Sequence, residues 1–155
     1  MNGAGEWRIK MEPIRVKKLK ESATLPTYGS ASAAGSDLYA CLEAQVTVAP
    51  GQTVFIPTGL AMEIPENCAG LIYARSGLAC KQDLAPANKV GVVDSDYRGE
   101  FMVALHNHGN ENRVVSHGDR IAQLVITPVL TPGFCEVDAL SDTQRAAGGF
   151  GSTGK

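Results

Sequence analysis

The residues best suited to chemistry lie in Asn88-Lys89-Val90-Gly91-Val92-Val93-Asp94-Ser95-Asp96-Tyr97-Arg98-Gly99-Glu100, which joins two apolar runs. This reads as a hairpin whose tip is ionisable. Asp94 directly follows Val92 and Val93, which places its carboxylate at the mouth of an apolar pocket, where it can hold a water and take its proton. A second group is Ala74-Arg75-Ser76-Gly77-Leu78-Ala79. An arginine directly before a helix start capped by Ser76 joins a guanidinium fork to unpaired N–H groups, a natural seat for phosphate. The plain alternative is a surface arginine beside an ordinary cap. Gln123 is the one polar residue in the run 121–126, so it needs a partner or carries a desolvation cost of about 1–3 kcal/mol. Ligand phosphate and a loop of the same chain are both open as partners.

The tail Gly148-Gly149-Phe150-Gly151-Ser152-Thr153-Gly154-Lys155 matches two phosphate-binding patterns on paper, G-x-G-x-x-G and most of a Walker loop. Each must follow a strand and open a helix, and no helix follows here. What survives is local: serial glycines let N–H groups converge on phosphate oxygens, Ser152 and Thr153 add hydroxyls, and Arg145 adds a fixed charge. Phe150, a ring among glycines with no core to join, suits stacking on a planar ligand. The plain alternative is a solvated terminus.

The elements that must position these groups are strands. Apolar residues come in runs of five to eight broken by Gly, Pro, Asn or Asp, which predicts strands at 14–19, 37–42, 45–48, 53–56, 60–64, 70–74, 91–93, 101–107, 113–115, 121–127 and 134–137. Only residues 76–81 read as a short helix. Many short strands with Pro/Gly-rich turns imply an all-β sandwich, jelly roll or closed barrel. The runs 101–105 and 121–126 are apolar on both faces, which points to a subunit interface and homo-oligomerisation, or to two packed sheets within one subunit.

With 155 residues, 44% hydrophobic and 19% charged, the chain forms one domain that needs no disulfide or metal staple. A net charge of -2 gives no reason to expect nucleic-acid binding. Cys41, Cys68, Cys80 and Cys135 lack metal-ligand spacing and read as reduced, mostly buried thiols; His106, His108 and His117 are too scattered for a metal site. With neither a secretion signal nor an apolar run of about 20 residues, a cytoplasmic protein without membrane contact is expected. Residues 1–10 read as an appendage, 11–140 as the β domain, and 141–155 as a mobile arm that orders when something docks on it.

Five segments, taken in order, resemble the motifs of the trimeric dUTP pyrophosphatases (dUTPases): Ala34-Gly35-Ser36-Asp37-Leu38; Arg75-Ser76-Gly77-Leu78-Ala79; Gly91-Val92-Val93-Asp94-Ser95-Asp96-Tyr97-Arg98-Gly99; Gly118-Asp119-Arg120-Ile121-Ala122-Gln123-Leu124; and Arg145 with Gly148 to Gly154. The resemblance implies a β jelly roll assembled as a homotrimer, with each active site shared between subunits and the arm 141–155 closing over a site of another subunit. It implies hydrolysis of dUTP to dUMP and pyrophosphate, with Mg2+ on the triphosphate, which limits uracil in DNA and supplies dUMP for dTMP synthesis. Asp94 would be the general base for water attack on the α-phosphorus. Tyr97 would pack on deoxyribose and leave no room for a 2′-hydroxyl. Asn88, Gly91, Val92, Val93 and Met102 would read uracil, and Arg75, Ser76, Gly77 and Gln123 would contact phosphate. Asp37 would lie near the metal's water shell without ligating the metal directly. Arg145, Gly151, Ser152 and Thr153 would hold the distal phosphates while Phe150 stacks over uracil. Two departures stand out: Ala74 replaces the common proline before the arginine, and Ala146-Ala147 replaces Gly-Ser or Gly-Glu.

Two rival readings differ in testable ways. The related dCTP deaminases carry a catalytic glutamate in the strand after the hairpin, and the matching position here is Ala104. A non-catalytic jelly-roll module would have no use for a water-activating carboxylate beside Arg75 and Tyr97.

Overall fold

The structure, a computed structural model, describes residues 12–149. Its elements run β1 (Val16–Lys18), β2 (Thr27–Tyr28), β3 (Ser36–Tyr39), β4 (Val46–Val48), β5 (Thr53–Pro57), β6 (Leu60–Met62), β7 (Cys68–Tyr73), α1 (Ser76–Gln82), β8 (Leu84–Pro86), β9 (Val90–Val93), β10 (Met102–Asn107), β11 (Arg113–Val115) and β12 (Arg120–Pro128). Among the described residues no helix is long and apolar enough to cross a membrane.

The strands form small antiparallel sheets stacked about one core, an all-β jelly roll. The largest has the order β2-β3-β12-β7-β9; beside it lie β5-β10-β8, β1-β6 and β11-β4. Neighbours in space are distant in sequence, because each long strand must find partners that cover its apolar face rather than its nearest turn. The core joins Leu38, Ile56, Leu60, Phe101, Val103, Leu105, Ile121 and Leu124. Burying each such side chain contributes roughly 1.5–3 kcal/mol. Thr58 and Asn107 are buried polar exceptions with partners: Thr58 donates to the Phe101 carbonyl (2.6 Å), and Asn107 donates to those of Val48 and Glu111 (2.8 and 2.7 Å).

The expected all-β pattern and the helix after Arg75 are present, but several details differ. No strand forms at 134–137, where Phe134 and Val137 are exposed. An extended segment becomes a strand only against a free edge, and this one pairs with none among the described residues. The two-residue β2 and the proline-containing β8 were not anticipated; both are too short to show periodicity. The thiols are not mostly buried: Cys41 is, Cys68 is half-buried, and Cys80 and Cys135 are exposed, one on a helix that buries no residue and one in the unpaired segment. Residues 1–10 lie outside the described region.

Within the single chain the two apolar faces of β10 have different surroundings. Phe101, Val103 and Leu105 fill the core, while the alternate residues Met102 and Ala104 line an open cleft. Its second apolar face is a pocket wall.

Candidate active site

That cleft, of about 350 Å3, is built where β9 and β10 diverge. Asn88, Gly91, Val92, Val93, Asp94, Tyr97 and Met102 all line it, as the sequence led us to expect. Sequence reasoning did not assign Phe55, Ile72, Pro86, Glu100 or Ala104 to its walls. Phe55 arrives through pairing, since β5 runs antiparallel to β10 with Phe55 opposite Ala104, and no local pattern announces such a partner. Gly91 is closely packed: a Cβ there would stand 3.3 Å from both the Asn88 amide and the Ile72 side chain, and both would have to give slightly. Asp94 is exposed at the end of β9 in the single chain, with its carbonyl accepting from the Tyr97 N–H (3.2 Å). The Ala104 position carries no ionisable group, which removes the deaminase reading.

A second cleft, about 270 Å3, is lined by Arg75, Gly77, Leu78, Asp119 and Arg120 among others. Its geometry follows from one row of the large sheet: Asp37 of β3, Gln123 of β12 and Tyr73 of β7 stand side by side in register and face the same way. Arg75, two residues beyond Tyr73, reaches back so that its Nε donates to Asp37 Oδ1 (2.8 Å), and Arg120 Nη1 donates to Asp37 Oδ2 (3.3 Å). One half-buried carboxylate thus holds two guanidinium groups, each with further N–H donors for an anion. Arg120 stood within a quoted motif, but its role became visible only through this shared partner. Gln123 donates to the Ala74 carbonyl (2.8 Å), and its carbonyl end packs over Gly35, where a Cβ would come within 2.7 Å of Gln123 Oε1. The loop partner weighed above is therefore the one this chain provides.

The cap before α1 is Arg75 with an extended backbone; Ser76 is the first helical residue, not the cap, and no side chain closes this end. The opening amides of a helix have no intrahelical acceptor, so those of Ser76 and Gly77 are available beside Arg75. In the arm, Arg145 Nε donates to the Gly148 carbonyl (2.8 Å), in a turn where Ala146 takes φ +43°. That is the left-handed region, where an L-residue costs about 1–2 kcal/mol and the glycine of the resembled motif costs little. Phe150, Gly151, Ser152 and Thr153 lie outside the described residues.

Asp94 and Arg75 lie beyond opposite ends of one ladder, while the first cleft runs along β9 between them. β7 and β9 pair with Tyr73 opposite Val90 and Gly70 opposite Val93. Asp94 lies one step past Val93 and Arg75 two past Tyr73, which separates their backbones by about six residues, or roughly 20 Å along the sheet, and the reach of Arg75 back to Asp37 shortens this for its guanidinium.

An apolar slot for a flat ring, with a carboxylate at its mouth, and a separate seat for anionic oxygens are what a jelly-roll enzyme acting on a nucleoside polyphosphate needs. Comparison with known proteins narrows that class. A family model described as dUTPase matches residues 21–154, and the chain belongs to the dUTPase family. It is 53% identical over 147 residues to the deoxyuridine 5'-triphosphate nucleotidohydrolase of Desulfitobacterium hafniense, covering 94% of this chain and 97% of that one. It is 48% identical over 146 residues to the namesake from Syntrophotalea carbinolica, covering 94% and 99%. Among solved structures, a mutant of the Staphylococcus bacteriophage 80alpha dUTPase with dUpNHpp superposes with a TM-score of 0.84 at 28% identity, covering 94% of this chain and all 100% of that one.

Proposed function

We propose that this chain hydrolyses dUTP to dUMP and pyrophosphate by attack of a water on the α-phosphorus, with Asp94 as general base, in sites completed by a second copy of the chain. Family membership supports the reaction. The observation that carries the mechanism is the separation of Asp94, at one end of the β7–β9 ladder, from Arg75, beyond the other. A nucleotide whose α-phosphorus faces Asp94 meets Arg75 on the same phosphates when another subunit supplies that arginine. The outer face of the large sheet supports such an assembly, because Val125, Leu71 and Val92 form an apolar row across β12, β7 and β9, with Val92 64% exposed. In a closed ring of three Val125 and Leu71 lie against a neighbour, with Val92 at the edge of the cleft.

In this site Asn88, Gly91, Val92, Val93 and Met102 bound the uracil, and Tyr97 packs on the deoxyribose. Arg75, Ser76, Gly77 and Gln123 receive phosphate from the neighbouring copy, with Arg120 beside them. The arm 141–155, from another copy, brings Arg145, Gly151, Ser152 and Thr153 to the distal phosphates and Phe150 over the base. Asp94 orients the water and accepts its proton as the bond to the α-phosphorus forms and pyrophosphate departs. Arg75 and the helix amides offer donors already in place for the charge that develops on the phosphate oxygens.

Mg2+ fits this donor set as an ion carried on the substrate. It keeps several waters and prefers phosphate and carboxylate oxygens, and Asp37, with one lone pair of each oxygen given to an arginine, retains others for a metal-bound water. When bound, Mg2+ neutralises triphosphate charge and assists departure of pyrophosphate. The same reading places the enzyme in the cytoplasm, limiting uracil in DNA and supplying dUMP for dTMP synthesis.

Pyrophosphate release from dUTP, dTTP, dCTP and UTP, each with and without Mg2+, tests the reading. Release from dUTP alone, and only with the metal, is expected. Equal release from dTTP would refute the base assignment, and undiminished release without divalent metal would refute the role given to Mg2+.

A further inference from the structure

We propose that Glu100 is a positioning residue that locks the Tyr97 ring against the cleft and so sets discrimination between deoxyribose and ribose; this rests on the reading above that Tyr97 faces the sugar. The lock has two layers. In the first, the Tyr97 hydroxyl donates to the carbonyl of Glu100 (3.0 Å), and the ring leans on Phe101, itself 1% exposed, with centroids 6.1 Å apart. The ring is thus tied at its tip and supported at its side, although Tyr97 is 45% exposed in the single chain. Nothing bulkier than glycine fits beneath it, since a Cβ at Gly99 would collide with the Tyr97 hydroxyl.

The second layer fixes the backbone that receives the hydroxyl. The Glu100 carboxylate, on the wall of the cleft, accepts a hydrogen bond from the N–H of Gly59 in the turn between β5 and β6 (2.7 Å). That donor cannot move. Gly59 is buried at φ +68°, where a Cβ would press within 2.8 Å of the Cys41 sulfur and 2.9 Å of Ala23. The next residue is held to the same turn: the Phe101 N–H donates to the Leu60 carbonyl (2.8 Å), and the Phe101 carbonyl accepts from the Thr58 hydroxyl (2.6 Å). Glu100 is therefore stapled to a rigid turn through its side chain, while its carbonyl holds the tyrosine. At the far side of the tip, Arg98 donates to the carbonyls of Ser95 and Tyr97 (2.7 and 2.9 Å).

A ring anchored in this way is a fixed wall before any nucleotide arrives, and a fixed wall rejects an added hydroxyl more strongly than one that yields. Its loss would act mainly on selectivity. The test compares kcat/KM for dUTP and UTP in the full-length enzyme for wild type, Glu100→Ala, Glu100→Gln, Tyr97→Phe and Tyr97→Ala. Glu100→Ala and Tyr97→Phe are each expected to lower the dUTP-to-UTP ratio by about tenfold, whereas Glu100→Gln, whose amide oxygen still accepts from Gly59, stays within about twofold of wild type. Tyr97→Phe removes a bond from an exposed residue, so it remains informative should Glu100→Ala fold poorly. If Tyr97→Ala itself leaves the ratio intact, the sugar assignment of Tyr97 fails. If Tyr97→Ala relaxes the ratio but Tyr97→Phe and Glu100→Ala do not, the positioning role of Glu100 is overturned.

Discussion

Asp94 shows how far a single residue can be read. Its place after two valines at the end of an apolar run announced a carboxylate at a pocket mouth, and it lines the cleft as expected. Its removal should separate binding from chemistry. Asp94→Asn is expected to bind a non-hydrolysable dUTP analogue within a few-fold of wild type while kcat falls by about 10²–10⁴-fold; unchanged turnover would remove Asp94 from the mechanism. Arg120 was less legible, because an arginine earns a role only through its partner, and that partner, Asp37, lies 83 residues away. His108 provides a pH-dependent check on the surroundings of β10. Desolvation, then the adjacent His106 and Lys89, lower its pKa below the ordinary histidine value, against a weaker opposing pull from Asp83. The unfolded chain therefore takes up the proton first as pH falls through about 6.5. Stability is intact above that value and declines as pH drops through the folded value, by a small amount because the side chain is largely exposed. In thermal melts between pH 7.5 and 5, His108→Gln should flatten this part of the profile; an unaltered slope would contradict the assignment.

At the scale of elements, strand positions were legible wherever an apolar face meets the core. Residues 113–115 form β11 as predicted, and β10 and β12 differ only at their ends. The pattern said less where apolar character and burial part company. Met102 and Ala104 are apolar because they wall a cleft, and the 134–137 run is apolar without any partner in its own chain. The helix was visible, but its cap was not, since a serine before an apolar stretch signals a cap only if its backbone is extended, and here Arg75 has that conformation. The arm makes a prediction of its own. Residues 129–143 form no strand and most of them are exposed, so deleting 146–155 should cost little stability, moving Tm by less than about 2 °C. Turnover of dUTP should nevertheless fall at least tenfold, by loss of the groups that close over the phosphates. A truncated enzyme as active as the full chain would show that the arm is no lid.

At the scale of the whole molecule, five separated motifs were recognisable because each keeps its residue types and order. The separation of Asp94 from Arg75 was not, because that follows from which strands pair: β7 lies between β12 and β9, which sends Arg75 to one end of the sheet and Asp94 to the other. The account therefore requires that catalysis occur between copies of the chain. Complementation between two inactive variants tests this most directly. Asp94→Asn and Arg75→Ala, each purified, are unfolded together, refolded as an equimolar mixture, and assayed for pyrophosphate release from dUTP. With sites shared between neighbours in a ring, a site that draws Asp94 from one variant and Arg75 from the other is whole, so about a quarter of wild-type activity should return. Activity no greater than the sum of the two variants refolded separately would contradict the shared site.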